Sequence, residues 1–427
     1  MSRMERAPQP DGGARRSAAL AIAVGLILAA CRRESAPALS AAAATGGRPE
    51  DVALAVNDPD EYAWRLFFAV NRQADPARPG LADPAKPIRQ YDPDAPVVWE
   101  TWALVSGRGA GQAGSEVFRP DGGDPGPWGA WPRRPNDKAL SPRLALPDGP
   151  REFEIRMNQA GYDFVRGHAL FNQDGLQLAF KQAQATQNPQ FIAFPAGAQE
   201  IKAHWQDLGS RVAPARLARY HWRRIGADYW VLTGFHIATK DLPNWFWADF
   251  EQVDSPLQPG DRFADSTTRT DHGSAAPAKG QVEGERRELT GTKWAFYRLR
   301  GTQTDFTNAR GAPVVMGDSA IEAGFQHTSC MTCHARATVS FVGPKLVHLS
   351  PDAAHVDVAS GAPRIADRAN SDLGPPDPRP FGPSVAYAQT DFVWSLPLRA
   401  AAPRASRSGA PPAPTEDGTR RPGPRGS

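Results

Sequence analysis

At 427 residues, 41% of them hydrophobic, the chain can hold one large or two ordinary domains, and 12 tryptophans spread from Trp64 to Trp394 supply material for a core. The formal charge of +3 sits at the ends: six arginines against two acids in residues 1–33, and again in 399–427, give +4 at each and leave the body at −5. An acidic body gives no basis for nucleic-acid binding.

Arg15 and Arg16 precede an apolar run over residues 18–30 that is too short to span a bilayer but suits a signal-peptide core. The run closes in Leu28-Ala29-Ala30-Cys31, which looks like a bacterial lipoprotein signal. On that likeness residues 1–30 are removed, and Cys31, lipid-modified on sulfur, becomes the N-terminus and the membrane anchor. A plain secretory signal with an incidental cysteine is the other reading, and both export the chain. Arg32, rather than an aspartate, follows Cys31, which implies an anchor in the outer membrane facing the periplasm. Residues 31–48, rich in alanine and without periodicity, read as a flexible tether.

Residues 49–286 read as an α+β domain with antiparallel strands. Tyr62, Trp64, Phe67, Phe68 and Val70 have helical spacing and predict a helix over 60–71; a second is expected over 152–170, ending before Asn172-Gln173-Asp174-Gly175. Aromatic and β-branched segments at 191–204, 219–224, 229–239 and 245–252, parted by Gly226-Ala227-Asp228 and Leu242-Pro243-Asn244, predict strands with short connections, hence an antiparallel meander. Residues 255–285 are polar and punctuated by Gly and Pro, as in a surface loop or linker. The Gly-rich stretch at 107–113 lacks the Gly-Lys pair of a phosphate loop, and no H-E-x-x-H, G-x-S-x-G or D-x-D-x-D-G occurs.

Cys330-Met331-Thr332-Cys333-His334 is the stretch whose spacing dictates a chemistry. C-x-x-C-H is the attachment pattern of a c-type haem: two thiols add to the vinyl groups of one porphyrin and the adjacent histidine ligates the iron. Structural zinc wants four ligands, and only Cys31 remains besides this pair; a thioredoxin-like pair expects a strand-to-helix arrangement that residues 311–326 do not display. The expectation is one covalent haem c, held by Cys330 and Cys333 with His334 on the iron, in a mainly helical, cytochrome c-like region over 287–398. From 399 to 427, Ala, Pro, Gly, Ser and Arg dominate and predict a disordered tail.

Phe235-His236-Ile237-Ala238-Thr239-Lys240, Trp245-Phe246-Trp247-Ala248-Asp249-Phe250-Glu251, Gly301-Thr302-Gln303-Thr304-Asp305-Phe306, residues 329–337 and Asp391-Phe392-Val393-Trp394-Ser395-Leu396 together are similar to a group of uncharacterised single-haem cytochrome c family proteins of bacteria, over about residues 60–398. Gln252 stands where this resemblance leads one to expect a histidine. The resemblance implies a haem attached outside the cytoplasm and thus agrees with export.

In small class I cytochromes c a downstream methionine completes the iron, but no methionine follows Met331. The candidates for the far side are Met316, His348, His355 and His236, with His327 and His272 behind them. Gly343-Pro344-Lys345-Leu346 resembles the Gly-Pro-x-Leu of class I cytochromes, which implies that the Pro344 carbonyl accepts the His334 N–H; a plain turn is the alternative. The expected function is a membrane-anchored electron carrier exchanging electrons with periplasmic redox partners. A haem enzyme of peroxidase type, or a haem subunit of a larger oxidoreductase, is the alternative, and an open or closed far face of the iron separates them.

Overall fold

The structure, a computed structural model, describes residues 49, 51–90, 92, 95–106, 115–130, 144–146, 149–254, 289–307, 314, 316, 329–349, 355–356, 363–364 and 387–402. The expected signal and tether with Cys31, most of the tail, the linker at 255–285, His272 and His327 lie outside the described residues. No described helix is long and apolar enough to cross a membrane.

The first long helix, α1 (Pro59–Asn71), starts where its sequence says it should. Asp58 accepts a hydrogen bond from the Glu61 N–H at 3.3 Å, Pro59 occupies the first turn, and Asp60 and Glu61 place negative charge at the helix N-terminus. Its buried stripe, from Tyr62 to Val70, lies on one face of an eight-stranded antiparallel sheet. The main path of that sheet runs β1 (Ala103–Ser106), β3 (Gly149–Met157), β4 (Gln199–Asp207), β6 (Asp228–Thr239), β7 (Phe246–Gln252), β8 (Tyr297–Gln303). Off the path, β2 (Leu144–Leu146) pairs with β3 and β5 (Trp222–Ile225) with β6. Alternation gives the sheet two unlike faces. Phe235, Ile237, Phe250 and Ile201 pack under α1 with Trp64, Phe67 and Trp294, whereas His236, Ala238, Trp247 and Asp249 point to the opposite side.

That opposite side carries a second core. Here α2 (Gln159–Gly167) and α3 (Gln173–Thr186) are capped by Asn158 and Asn172, which accept from the Gly161 and Gly175 N–H groups. They pack with β9 (Thr338–Val342), which pairs with β10 (Lys345–Val347) and β13 (Ala388–Gln389), and with the short helices α4 (Cys330–His334) and α5 (Ser395–Arg399). A two-residue pair, β11 (His355–Val356) with β12 (Pro363–Arg364), completes the described strands.

Two expectations need correction. The segment expected as one helix over 152–170 is strand up to Met157 and helix only from Gln159, because Phe153, Ile155 and Met157 repeat with period two and Asn158 then caps a new helix. The strand expected at 191–204 begins at Gln199, after Pro195 and Gly197. The described residues of 287–398 hold the strands β8 to β13, the helix α4 and most of α5. β8 lies beyond the expected boundary at 286 yet is hydrogen-bonded along β7, so its packing is that of the sheet.

Candidate functional site

The segment Cys330–His334 forms a single helical turn, and that conformation does the first work of the site. Residues i, i+3 and i+4 share a helix face, so Cys330, Cys333 and His334 all line one cleft while Met331 and Thr332 are buried behind them. Ser329 caps the turn by accepting from the Thr332 N–H at 3.2 Å. Gln303, at the end of β8, accepts from the Met331 N–H at 3.0 Å and donates to the Ser329 hydroxyl at 3.1 Å. The turn is thereby fastened to the sheet. Both cysteines carry thiols rather than a disulfide, and both are half-buried.

The cleft has a volume of about 320 Å³, within the range of ligand sites of ~300–1,000 Å³. The sheet supplies one wall through Phe153, Ile155, Lys202, His236 and Trp247; α4, Met316, and Trp394, Leu398 and Arg399 of the C-terminal segment supply the others.

His334 is oriented from behind. Its Nδ1 lies 2.7 Å from the Phe392 carbonyl oxygen, so Nδ1–H donates and Nε2 keeps its lone pair. Trp247 packs on the imidazole at 4.6 Å between ring centres, and the Trp394 indole N–H donates to the Cys333 carbonyl at 3.2 Å. Burial, with lesser contributions from Lys202 and His236, pushes His334 down to about 4 against the opposing bond to Phe392, so the imidazole is neutral at pH 7. The carbonyl expected from Pro344 is therefore supplied by Phe392; Pro344 is exposed in the two-residue turn between β9 and β10, where Gly343 takes φ +62°. Asp391 and Phe392 have φ of 51° and 68°, a left-handed conformation rare for non-glycine residues and costing ~1–3 kcal/mol each.

Across the cleft wall, antiparallel register lines up Ile155, Lys202, His236 and Asp249 on neighbouring strands. His236 Nε2 is 3.1 Å from Asp249 Oδ1; Arg300 reaches Asp249 at 3.3 Å and Glu251 at 3.2 Å; Arg298 reaches Glu251 at 2.8 Å. Burial opposes ionisation of Asp249, but His236, Arg300 and Arg298 outweigh it and hold the carboxyl below its ordinary range. In Glu251 burial prevails over the two arginines and the carboxyl is pushed up. Glu200, also on the cleft, is pushed up to about 7 by burial, partly countered by the Ser395 hydroxyl, which donates to it at 3.0 Å.

Of the far-side candidates, the fold brings His236 and Met316 to the cleft. His236 and His334 thus line the same cleft. His348 stands behind Trp394 at 5.9 Å and is not part of the cleft wall; its Nδ1 is 2.7 Å from the Leu349 carbonyl. His355 begins β11, whose side chains are outside the description. Gln252, in the place of an expected histidine, is buried away from the cleft and donates to the Arg219 carbonyl at 3.2 Å.

The donor set fits a covalently held haem: two thiols and one neutral imidazole on a single helix face, an acceptor fixing the tautomer, and a mostly apolar cleft in front. Gln303, Trp247, Asp249 and Phe392, which complete the site, lie in segments on which the family resemblance rests, but no spacing rule singles them out. No protein-family model, curated protein or solved structure matches the chain.

Proposed function

We propose that the protein is an exported, lipid-anchored c-type cytochrome that binds one haem through Cys330 and Cys333, with His334 on the iron, and passes electrons between periplasmic partners. It would thus belong with the single-haem cytochromes that its sequence resembles. The reading is carried by one observation: Cys330, Cys333 and His334 face the same cleft from one helical turn, with Nδ1 of His334 held by the Phe392 carbonyl. A bound haem supplies one-electron exchange at the iron. Cys330 and Cys333 would anchor the ring, the Phe392 carbonyl fixes the imidazole tautomer, and Trp247, Ile155, Phe153 and Trp394 would line the bound group. His236 and Met316, which also line the cleft, would be the candidates for a second iron ligand. Cys31 would tie the protein to the periplasmic face of the outer membrane.

The buried His236–Asp249–Arg300 row favours a second reading, a haem enzyme of peroxidase type. An imidazole oriented by a carboxylate can hold or move a proton at the cleft.

The test is to express the chain in the periplasm with a cytochrome c maturation system. Haem that resists acid extraction in the wild type, and is lost in Cys330→Ala/Cys333→Ala, is the expected result; absence of covalent haem in the wild type refutes the proposal. A low-spin ferric spectrum that turns high-spin in His236→Ala or Met316→Leu supports the carrier. A high-spin wild type that shifts with cyanide or peroxide supports the enzyme.

A further inference from the structure

The Phe392 carbonyl reaches His334 only because the backbone turns through two successive left-handed residues, Asp391 and Phe392, neither of them glycine. Nothing local in the sequence prefers that conformation at a phenylalanine, so something outside the turn must hold it. The Asp391 carboxylate is the holder that the geometry supplies. One oxygen accepts from Lys240 Nζ at 2.6 Å and the other from the Phe194 backbone N–H at 2.7 Å. The pair is largely shielded, with side-chain exposures of 14% for Lys240 and 9% for Asp391, and Lys240 Nζ also donates to the Pro243 carbonyl at 2.6 Å.

Three separate parts of the chain therefore converge on one carboxylate. Lys240 follows the last residue of β6, and its own N–H donates to the Ala198 carbonyl at 2.8 Å; Phe194 precedes β4 and packs on Trp245 at 5.8 Å; Asp391 precedes the carbonyl that orients the imidazole. Just before Asp391, the Thr390 N–H donates to the Ala337 carbonyl at 2.9 Å, and the Thr390 hydroxyl reaches across the turn to the Val393 carbonyl at 2.9 Å. The strap over α4 is thus pinned before Phe392 by Thr390 and Asp391, and after it by the Trp394 indole N–H, which donates to the Cys333 carbonyl.

We infer that Asp391, clamped by Lys240 and the Phe194 N–H, is a positioning residue that sets the hydrogen bond to His334 and through it the electronic character of the proximal ligand. The inference rests on the haem reading above. A carbonyl that accepts from Nδ1–H makes the imidazole a stronger donor and favours ferric over ferrous iron; loss of the clamp weakens the bond and moves the balance the other way. The carboxylate is needed for its charge as well as its shape. Asparagine tolerates the left-handed backbone and can still accept from Phe194, but it offers Lys240 no ion pair.

The experiment uses the haem-loaded full chain and compares midpoint potentials of wild type, Asp391→Asn, Lys240→Met and the double variant. Each single change is expected to lower the ferric preference about tenfold, an upward shift of about 59 mV for a one-electron couple, and the double variant is expected to shift no further than the larger single one. Haem-loaded variants that lose thermal stability but keep the wild-type potential overturn the clamp and leave the cytochrome reading intact. Wild type without covalent haem overturns the cytochrome reading itself. Nitrogen-edited NMR of the wild-type His334 ring gives a measurement that needs no variant to fold: an exchange-protected Nδ1–H is expected, and a rapidly exchanging one overturns the inference.

Discussion

Replacing Arg300 with methionine is the sharpest test of whether the charged row behind His236 is a desolvated network. Arg300 and Asp249 are each 2% exposed and Glu251 1%, so the charges have little access to water. The guanidinium sits 3.3 Å from Asp249 and 3.2 Å from Glu251. At an effective dielectric of about 20, each contact is worth ~5 kcal/mol in Coulomb energy. Removing Arg300 also removes its own desolvation cost of several kcal/mol, so the expected net loss is ~3–5 kcal/mol, the usual cost of breaking a buried ion pair, although His236 and Arg298 still face the two carboxylates. Methionine keeps much of the apolar stem volume, which confines the effect to charge. Urea denaturation at pH 7 measures the loss, and a fall in Tm of ~10 °C accompanies it. Glu251→Gln in the same background is expected to cost less than it does in the wild type, because the Arg300–Glu251 contact is already gone. Arg78→Met, breaking an exposed pair with Asp75 at 2.7 Å, provides the comparison and is expected to cost less than ~1 kcal/mol. A loss for Arg300→Met no larger than that of Arg78→Met refutes the network.

The other predictions concern packing and pH. Gly175→Ala is expected to destabilise by ~1–3 kcal/mol in thermal melts, since overpacking outweighs the ~1 kcal/mol helix preference for alanine: the new Cβ would lie 2.0 Å from the Ala169 carbonyl oxygen. Glu200, with a folded value of about 7 against 4.5 for the free group, makes the fold less stable as pH rises between those values. Glu200→Gln is accordingly expected to add up to ~3 kcal/mol at pH 8 and little at pH 4; equal effects at both refute the assignment. His221 is held down to about 3 by burial, with Lys293 and Arg223 adding to the effect against Glu100, so its stabilising contribution is present above 6.5 and lost as pH falls toward 3. Urea midpoints of the wild type should fall over that range, and His221→Gln, which cannot take up the proton, should flatten the fall.

Much of the scaffold was legible because short-range signals agreed with the tertiary fold. The helix expected over 60–71 and the strands over 229–239 and 245–252 lie within one residue of Pro59–Asn71, Asp228–Thr239 and Phe246–Gln252, each bounded by a cap or turn residue. The helix expected over 152–170 failed where local pattern was ambiguous and period two prevailed as far as Met157. At the site, the CMTCH spacing defines a common face within one turn. Phe392 was not legible at all: what it contributes is a carbonyl, which every residue has, and it stands 58 positions from His334. His236 and Asp249 were implicit in the hairpin, since the pairing of Thr239 with Phe246 fixes that of His236 with Asp249 three residues back on each strand.

Buried charge alone does not mark the functional face of this sheet. Glu100, His221 and Arg223 form a second enclosed cluster, with His221 Nε2 donating to Glu100 at 3.0 Å and stacked on Trp294 at 4.9 Å, yet none of the three lines the cleft. Burial penalises Glu100, but Arg223 and His221 outweigh it and hold the carboxyl well below the usual range, which describes an enclosed cluster next to the α1 core. The row through His236 differs in one respect that matters for chemistry: its terminal imidazole forms part of a cavity wall, opposite a helix turn bearing two thiols and an oriented histidine. The same kind of buried polar network thus serves two ends. Where it is closed on all sides it fixes the packing of strands; where it ends at a cavity it presents a positioned group to whatever the cavity holds.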